Sequence, residues 1–240
     1  MSLCELRRLE PDSPTVQELK TLTRDQDALI QTQTRLVNQL TACLKDYSPA
    51  ALNLFAKLQQ RSALVFLQAY PTPQAVEAAS LDEIIATLRT GKHTNPREVA
   101  PKIFAEVHRP QLVANQIIVR AKSRLMLSLV KPLLVVMEDI ASYDKEIRPL
   151  FLIHKDQEMW SSLPRAGKRL APRMLAEWGD DRTRYADAGS VQTLAGTAPV
   201  PFQSGKYAKA HKRFACLKPL RNALHQFAWQ STQQETWALN

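Results

Sequence analysis

A chain of 240 residues with 45% hydrophobic residues has enough apolar side chain for one large core or two small ones. Its net charge of +9 favours a polyanionic partner, and three widely spaced cysteines (Cys4, Cys43 and Cys216) exclude a disulfide framework and fit a reducing compartment. No signal-peptide core opens the chain, and the most apolar run, Leu125–Met137, is short and broken by Lys131 and Pro132, so no membrane span and a cytoplasmic location are expected.

Pro14 to Tyr47 reads as one long helix. Leu19, Leu22, Gln26, Leu29, Gln33, Leu36, Leu40, Cys43 and Tyr47 recur in steps of three and four, the spacing of a heptad seam. Ile30, Val37 and Leu44 widen that stripe, so it fits either packing on helices of the same chain or an intermolecular coiled coil. Shorter helices are expected at about 50–59 and 62–69, with a break at Pro71-Thr-Pro73. Ser80-Leu-Asp-Glu83 is a capping-box signature for a helix to about Leu88, and Gly91 to Pro96 is a loop. From Gln111 to Trp160 apolar residues keep helical spacing, with Pro132 and Pro149 expected to kink or divide the element. His93, His108 and His154 sit in these segments outside any acidic or cysteine grouping that would ligate, and read as surface or capping residues.

Near residues 155–164 the character of the chain changes. Residues 1–160 hold 20 Lys/Arg against 18 Asp/Glu, whereas 161–240 hold 12 against 5, so the basicity belongs to the rear third. Glycine shifts likewise: only Gly91 precedes residue 160, and the other five follow it. Strand signals are few, Val200–Gln203 being the main candidate. The fold class expected is mainly α, with long coiled-coil-like helices followed by a small helical domain.

Leu163 to Gly179 resembles a helix-hairpin-helix element, in which a glycine turn aims backbone N–H groups at a phosphate. Gly167 permits close approach and Lys168 and Arg169 add charge, but Arg165 occupies the place of the motif's first hairpin glycine. Further on, Ser204 lies beside Gly205 and opens a run with Lys206, Lys209, Lys212, Arg213, Lys218 and Arg221 and no acid. Interleaving with Tyr207, Phe214, Phe227 and Trp229 suggests a packed helical surface presenting cations to phosphates. Ser204 itself reads either as a nucleophile or as a loop serine satisfying a turn. His211 and Asp187 would be its triad partners, without a nucleophile-elbow signature, and Tyr207 excludes a Walker loop. His211, Cys216 and His225 lack metal-ligand spacing, so no metal residue is assigned.

In order and spacing, Leu163-Pro-Arg-Ala-Gly, Leu175-Ala-Glu-Trp-Gly-Asp180, Leu194-Ala-Gly-Thr-Ala-Pro199, Gln203-Ser-Gly-Lys206 and Leu220-Arg-Asn-Ala-Leu-His-Gln-Phe-Ala-Trp229 form linked blocks. Together they resemble the C-terminal transposase domain of the insertion sequence 110 family, the DEDD-type recombinases related to the Piv invertase. Leu22-Thr-Arg-Asp and Thr34-Arg-Leu-Val-Asn38-Gln-Leu are similar to the helix following that family's catalytic acids. The resemblance implies three parts: the helical tail of a RuvC-like domain over 1–50, a coiled-coil connector over 51–156, and the transposase domain over 157–240. It further implies DNA cleavage and rejoining through a phosphoserine at Ser204, with Mg²⁺ held by three Asp and one Glu in the intact enzyme. Gly167, Lys168, Arg169, Gly205, Lys206, Lys209, Lys212, Arg213, Lys218 and Arg221 would then hold DNA, or the guide RNA that family members use.

The chain departs from the family where the acids should stand. Asp12, Asp25 and Asp27 do not reproduce the Asp-x-x-Asp pair. The expectation is therefore an N-terminally truncated copy, unable to cut or join DNA alone and without a cofactor of its own, that associates with itself or with an intact transposase. The alternative is a non-catalytic nucleic-acid-binding or dimerisation fragment that modulates an intact enzyme.

Overall fold

The computed structural model describes residues 10–110 and 114–233. Cys4 and the expected helix start at Gln111 lie outside them. The architecture is mainly α: α1 (Pro14–Tyr47), α2 (Arg61–Ala69), α3 (Pro73–Glu77), α4 (Leu81–Thr90), α5 (Pro96–Val107), α6 (Gln116–Leu152), α7 (Gln157–Ser162), α8 (Gly167–Trp178), α9 (Ala188–Ala195) and α10 (Lys218–Ser231). Strands β1 (Val200–Ser204) and β2 (Tyr207–His211) form one antiparallel pair. By compactness the chain divides into one unit of residues 28–141 and another of 1–27 with 142–240, so α1 and α6 each contribute to both.

In the 28–141 unit, the rear of α1 buries Leu40, Cys43, Leu44 and Tyr47 against Val119, Met126, Val130 and Leu133 of α6. The heptad stripe is thus satisfied at these positions by a helix of the same chain. Tyr47 anchors its end by donating its hydroxyl to the Pro71 carbonyl at 2.9 Å. A second cluster, with Phe66, Ile84, Leu88, Ala100 and Ile103, sits among α2, α4 and α5. The Ser80–Glu83 capping box forms as its spacing requires, each side chain meeting the other's backbone N–H.

One expectation about helix extent fails, and another is narrowed, for physical reasons. The helix expected at 50–59 is only a 3-10 turn at Pro49–Asn53 followed by bends. That path lets Phe55 and Leu58 enter two different clusters, which an i, i+3 pair on one helix face would not. Conversely, α6 runs undivided through Pro132 and Pro149. Both prolines are exposed, so the carbonyls that lose an N–H partner face water.

In the other unit, the first turns of α1 and the last turns of α6 pack on α7, α8 and α10 around Val16, Leu19, Ile147, Phe151, Trp160, Leu170, Met174, Leu175 and Ala223. Trp160, Trp178 and Tyr185 form a chain of tilted rings, with centroids 5.6 and 5.2 Å apart. Among the described residues, no helix is long and apolar enough to cross a membrane.

Candidate nucleic-acid interface

The site is built on α8 and on the chain that follows it. α7 and α8 are joined by a tight turn at residues 163–166, with Arg165 and Gly167 both left-handed at φ +62°. Arg165 therefore holds a conformation that suits glycine, the strain its sequence position foretold. Gly167 opens α8, and Ala166 before it offers no side-chain cap. Lys168 is exposed.

Arg169 is exposed but ion-paired. Its guanidinium donates Nε–H to Asp144 Oδ1 at 2.8 Å and Nη2–H to Oδ2 at 2.5 Å. One turn on, Arg173 forks onto Asp27 at 2.7 and 3.1 Å, and one turn further Glu177 receives Arg24 at 2.7 and 2.8 Å. Residues 169, 173 and 177 lie on one face of α8, so a single helix face carries three forked ion pairs. Gln26 adds a hydrogen bond to Asp144 at 2.7 Å. The Arg169 hydrogen bond holds the Asp144 carboxyl below the usual carboxylate range against the opposing effect of burial.

Past α8, Asp180 accepts from the Ser13 backbone at 2.6 Å and faces His154 Nε2 at 2.9 Å. The His154 side chain is only 6% exposed, so it is no surface residue, and its carboxylate partner lies 26 residues ahead. Its Nδ1 also accepts from the Asp156 backbone, so it does shape the turn after α6. Asp12 binds Lys20 at 3.0 Å and Arg184 at 2.7 Å. Burial pushes the Asp12 carboxyl up, and these two cations more than offset it, leaving it below its ordinary value. Asp187 caps α9 through the Ser190 backbone N–H at 2.7 Å, a structural task that accounts for its carboxylate.

From Gly196 to Leu217 the chain makes an excursion closed at its base. The Leu217 N–H donates to the Leu194 carbonyl at 2.8 Å. A Cβ on Gly196, which sits at φ +71°, would lie 2.5 Å from the Cys216 Cβ. The excursion is the β1–β2 hairpin, turned by Gly205 at φ +58° and Lys206, the two-residue Gly-X loop of a right-twisted hairpin. Ser204 is the last residue of β1, paired with Tyr207, and every residue of both strands is exposed.

This corrects the expected helical cation surface. Lys206 and Lys209 stand on the hairpin, Lys212 and Arg213 on the extended return, and only Lys218 and Arg221 on a helix, at the start of α10. Below them, Leu220 and Ala223 are buried, and Leu224 and Phe227 pack on the core, as the α10 periodicity predicted. Arg221 donates to Cys216 Sγ at 3.4 Å. Among the described residues, Lys168, Lys206, Lys209, Lys212 and Lys218 take part in no ion pair, whereas Arg169 does. Sequence reasoning missed the α8 ladder, whose partners are remote in sequence. It also missed the second strand, although the alternation about Gly205-Lys206 is a hairpin signal.

The described aspartates near the interface are already engaged. Asp12, Asp27, Asp144 and Asp180 each engage a cation, a histidine or a backbone N–H in this unit. Among the described residues no group of three or more His, Cys, Asp or Glu is placed to hold a metal ion.

A family model described as "Transposase IS116/IS110/IS902 family" matches residues 157–239, and a second transposase model, of the DEDD type of IS110 elements, matches 3–49. The mini-circle transposase candidate of IS117 from Streptomyces coelicolor is 31% identical over 95% of this chain and 56% of its own length. An uncharacterised 44.8 kDa protein of insertion element IS116 from Streptomyces clavuligerus is 32% identical over 80% of this chain and 47% of its own. An uncharacterised 42 kDa protein of IS900 from Mycobacterium paratuberculosis is 27% identical over 87% and 52%. The chain thus spans about half the length of the curated relatives it matches. No solved structure matches it.

Proposed function

The chain belongs to the IS116/IS110/IS902 family of insertion-sequence transposases, and from that premise we propose that it binds DNA through residues 161–240 and presents Ser204 as the nucleophile of strand cleavage and rejoining. The observation that carries this reading is the placement of Ser204: an exposed hydroxyl on a projecting hairpin, beside lysines that no acid neutralises among the described residues. In the reaction, Ser204 Oγ gives up its proton and attacks a backbone phosphorus. An Oγ–P bond forms, the bridging P–O bond breaks, and the departing sugar oxygen takes a proton. Reversal onto a different strand rejoins DNA and frees the serine.

Lys206 and Lys209 would position the phosphate, and Lys212, Arg213, Lys218 and Arg221 would extend the track along the backbone. Gly167 and Lys168 at the start of α8 would take a second phosphate, of the target DNA or of a guide RNA. Arg169 would add charge to that contact while its pairing with Asp144 holds the side chain in place. The intact family enzyme is expected to use Mg²⁺ on an acidic site; the carboxylates described in this chain do not fit that group, and no step is routed through it. On this reading the chain alone grips nucleic acid without cutting it, and Ser204 acts with acids supplied by an intact family member with which it associates.

Binding of the purified chain to a labelled duplex over a salt series tests the first half. Affinity that falls steeply with salt, and falls further when Lys206 and Lys209 become Ala, supports it; salt-insensitive or absent binding sinks it. Changing Ser204 to Ala separates the catalytic reading from a purely binding one, since only the first loses strand transfer while keeping affinity.

A further inference from the structure

Cross-strand partners share a face, so Val200, Phe202 and Ser204 stand on the same side of the hairpin as His211, Lys209 and Tyr207. The other side carries Pro201, Gln203, Ala208 and Ala210, with neither aromatic ring nor charge. Phe202 is 50% and Tyr207 56% exposed. The Phe202 ring meets Tyr207 edge-on at 6.4 Å and His211 edge-on at 5.6 Å, so the rings are fixed against one another rather than against the core. Large rings held in water on a strand pair, on the face that also bears the serine, mark a contact surface.

We propose that this face receives an unpaired DNA strand, with bases stacking on Phe202 and Tyr207 while Lys206 and Lys209 hold the adjoining phosphates. Charge complementarity favours nucleic acid as the occupant: six cations and no acid lie between Lys206 and Arg221. The strand is unpaired because a ring can reach a base face only where that base is not stacked between its neighbours. It is DNA because Ser204 lies directly opposite Tyr207, so whatever stacks there lies against the hydroxyl. This rests on the reading that Ser204 attacks DNA, and it adds that the attacked segment is melted at the hairpin.

The test uses the full chain with labelled oligothymidylate, its duplex with oligoadenylate, and the matching oligouridylate, alongside 2-aminopurine in the single strand as a stacking reporter. Replacing Phe202 and Tyr207 together by Ala removes no core contact, since both are exposed. The expected result is about tenfold or greater loss of oligothymidylate affinity, lost 2-aminopurine quenching and unchanged duplex affinity, with Phe202→Tyr retaining both single-strand signals. Equal loss on single strand and duplex, or no loss, overturns the inference. Ring-dependent preference for oligouridylate, or loss of self-association in place of affinity, overturns it too. If the double variant binds normally while Lys206→Ala and Lys209→Ala weaken both ligands, this inference fails and the broader reading stands. A wild-type chain that binds neither ligand sinks both.

Discussion

Arg24 and Glu177, 153 residues apart in sequence, close a forked ion pair: Nε–H reaches Oε1 at 2.7 Å and Nη2–H reaches Oε2 at 2.8 Å. The Glu177 side chain is fully buried while Arg24 remains 41% exposed. Both oxygens of a buried carboxylate thus depend on one guanidinium, and with Arg173–Asp27 and Arg169–Asp144 the pair lines the face of α8 that supports the candidate interface.

Arg24→Ala leaves the Glu177 charge buried without its partner. It is expected to cost about 2–3 kcal/mol, less than the break of a fully buried pair because Arg24 is part-exposed. Urea unfolding measures it, and a loss within experimental scatter of wild type would show the pair to be dispensable.

Acid should loosen the same face. The Asp144 carboxyl is held below its ordinary value by Arg169, so its ionised form adds stability that is present above about pH 4 and lost as pH falls through the lowered folded value. Melting curves of wild type and Asp144→Asn should therefore differ at neutral pH and converge toward about pH 2. A gap that stays constant across that range contradicts the assignment.

Two glycines in the excursion are left-handed, but they differ in surroundings. A Cβ at Gly196 would run into Cys216, whereas at Gly205 nothing lies within 4 Å. Gly205→Ala should cost only backbone strain, about 1–2 kcal/mol, and Gly196→Ala distinctly more. Equal losses would mean that the closed base of the excursion does not constrain it.

The cations should separate by role. Lys206→Ala and Lys209→Ala should each reduce the salt slope of duplex binding by about 1. Arg169→Ala should instead lower the melting temperature, with little change of slope at a temperature where the chain is folded. Should Arg169 carry the larger slope change, its pairing with Asp144 would have to open on binding.

Local signals were legible in the sequence, whereas partnerships across the fold were not. The α1 stripe, the Ser80–Glu83 box and the buried side of α10 follow from spacing within a few residues. The strained turn at Arg165 was visible as a misplaced side chain where glycine belongs. By contrast, the Arg169–Asp144 pair has no local signal, since the carboxylate lies 25 residues back on another helix. Pro132 and Pro149 do not divide α6, because a helix tolerates Pro where the freed carbonyl can be hydrated. In the basic run, the aromatic and cationic spacing suggests a helix, whereas two residues, Gly205 and Lys206, decide that its first part is a hairpin.

The most direct measurement mixes this chain with an IS110-type transposase that keeps its acids but has its own serine replaced by alanine, on a cognate DNA substrate with Mg²⁺. The account predicts restored strand cleavage, with the covalent protein–DNA adduct mapped by mass spectrometry to Ser204, and none when Ser204 is changed to Ala. Restored cleavage that survives Ser204→Ala, or an adduct on any other residue, would contradict it.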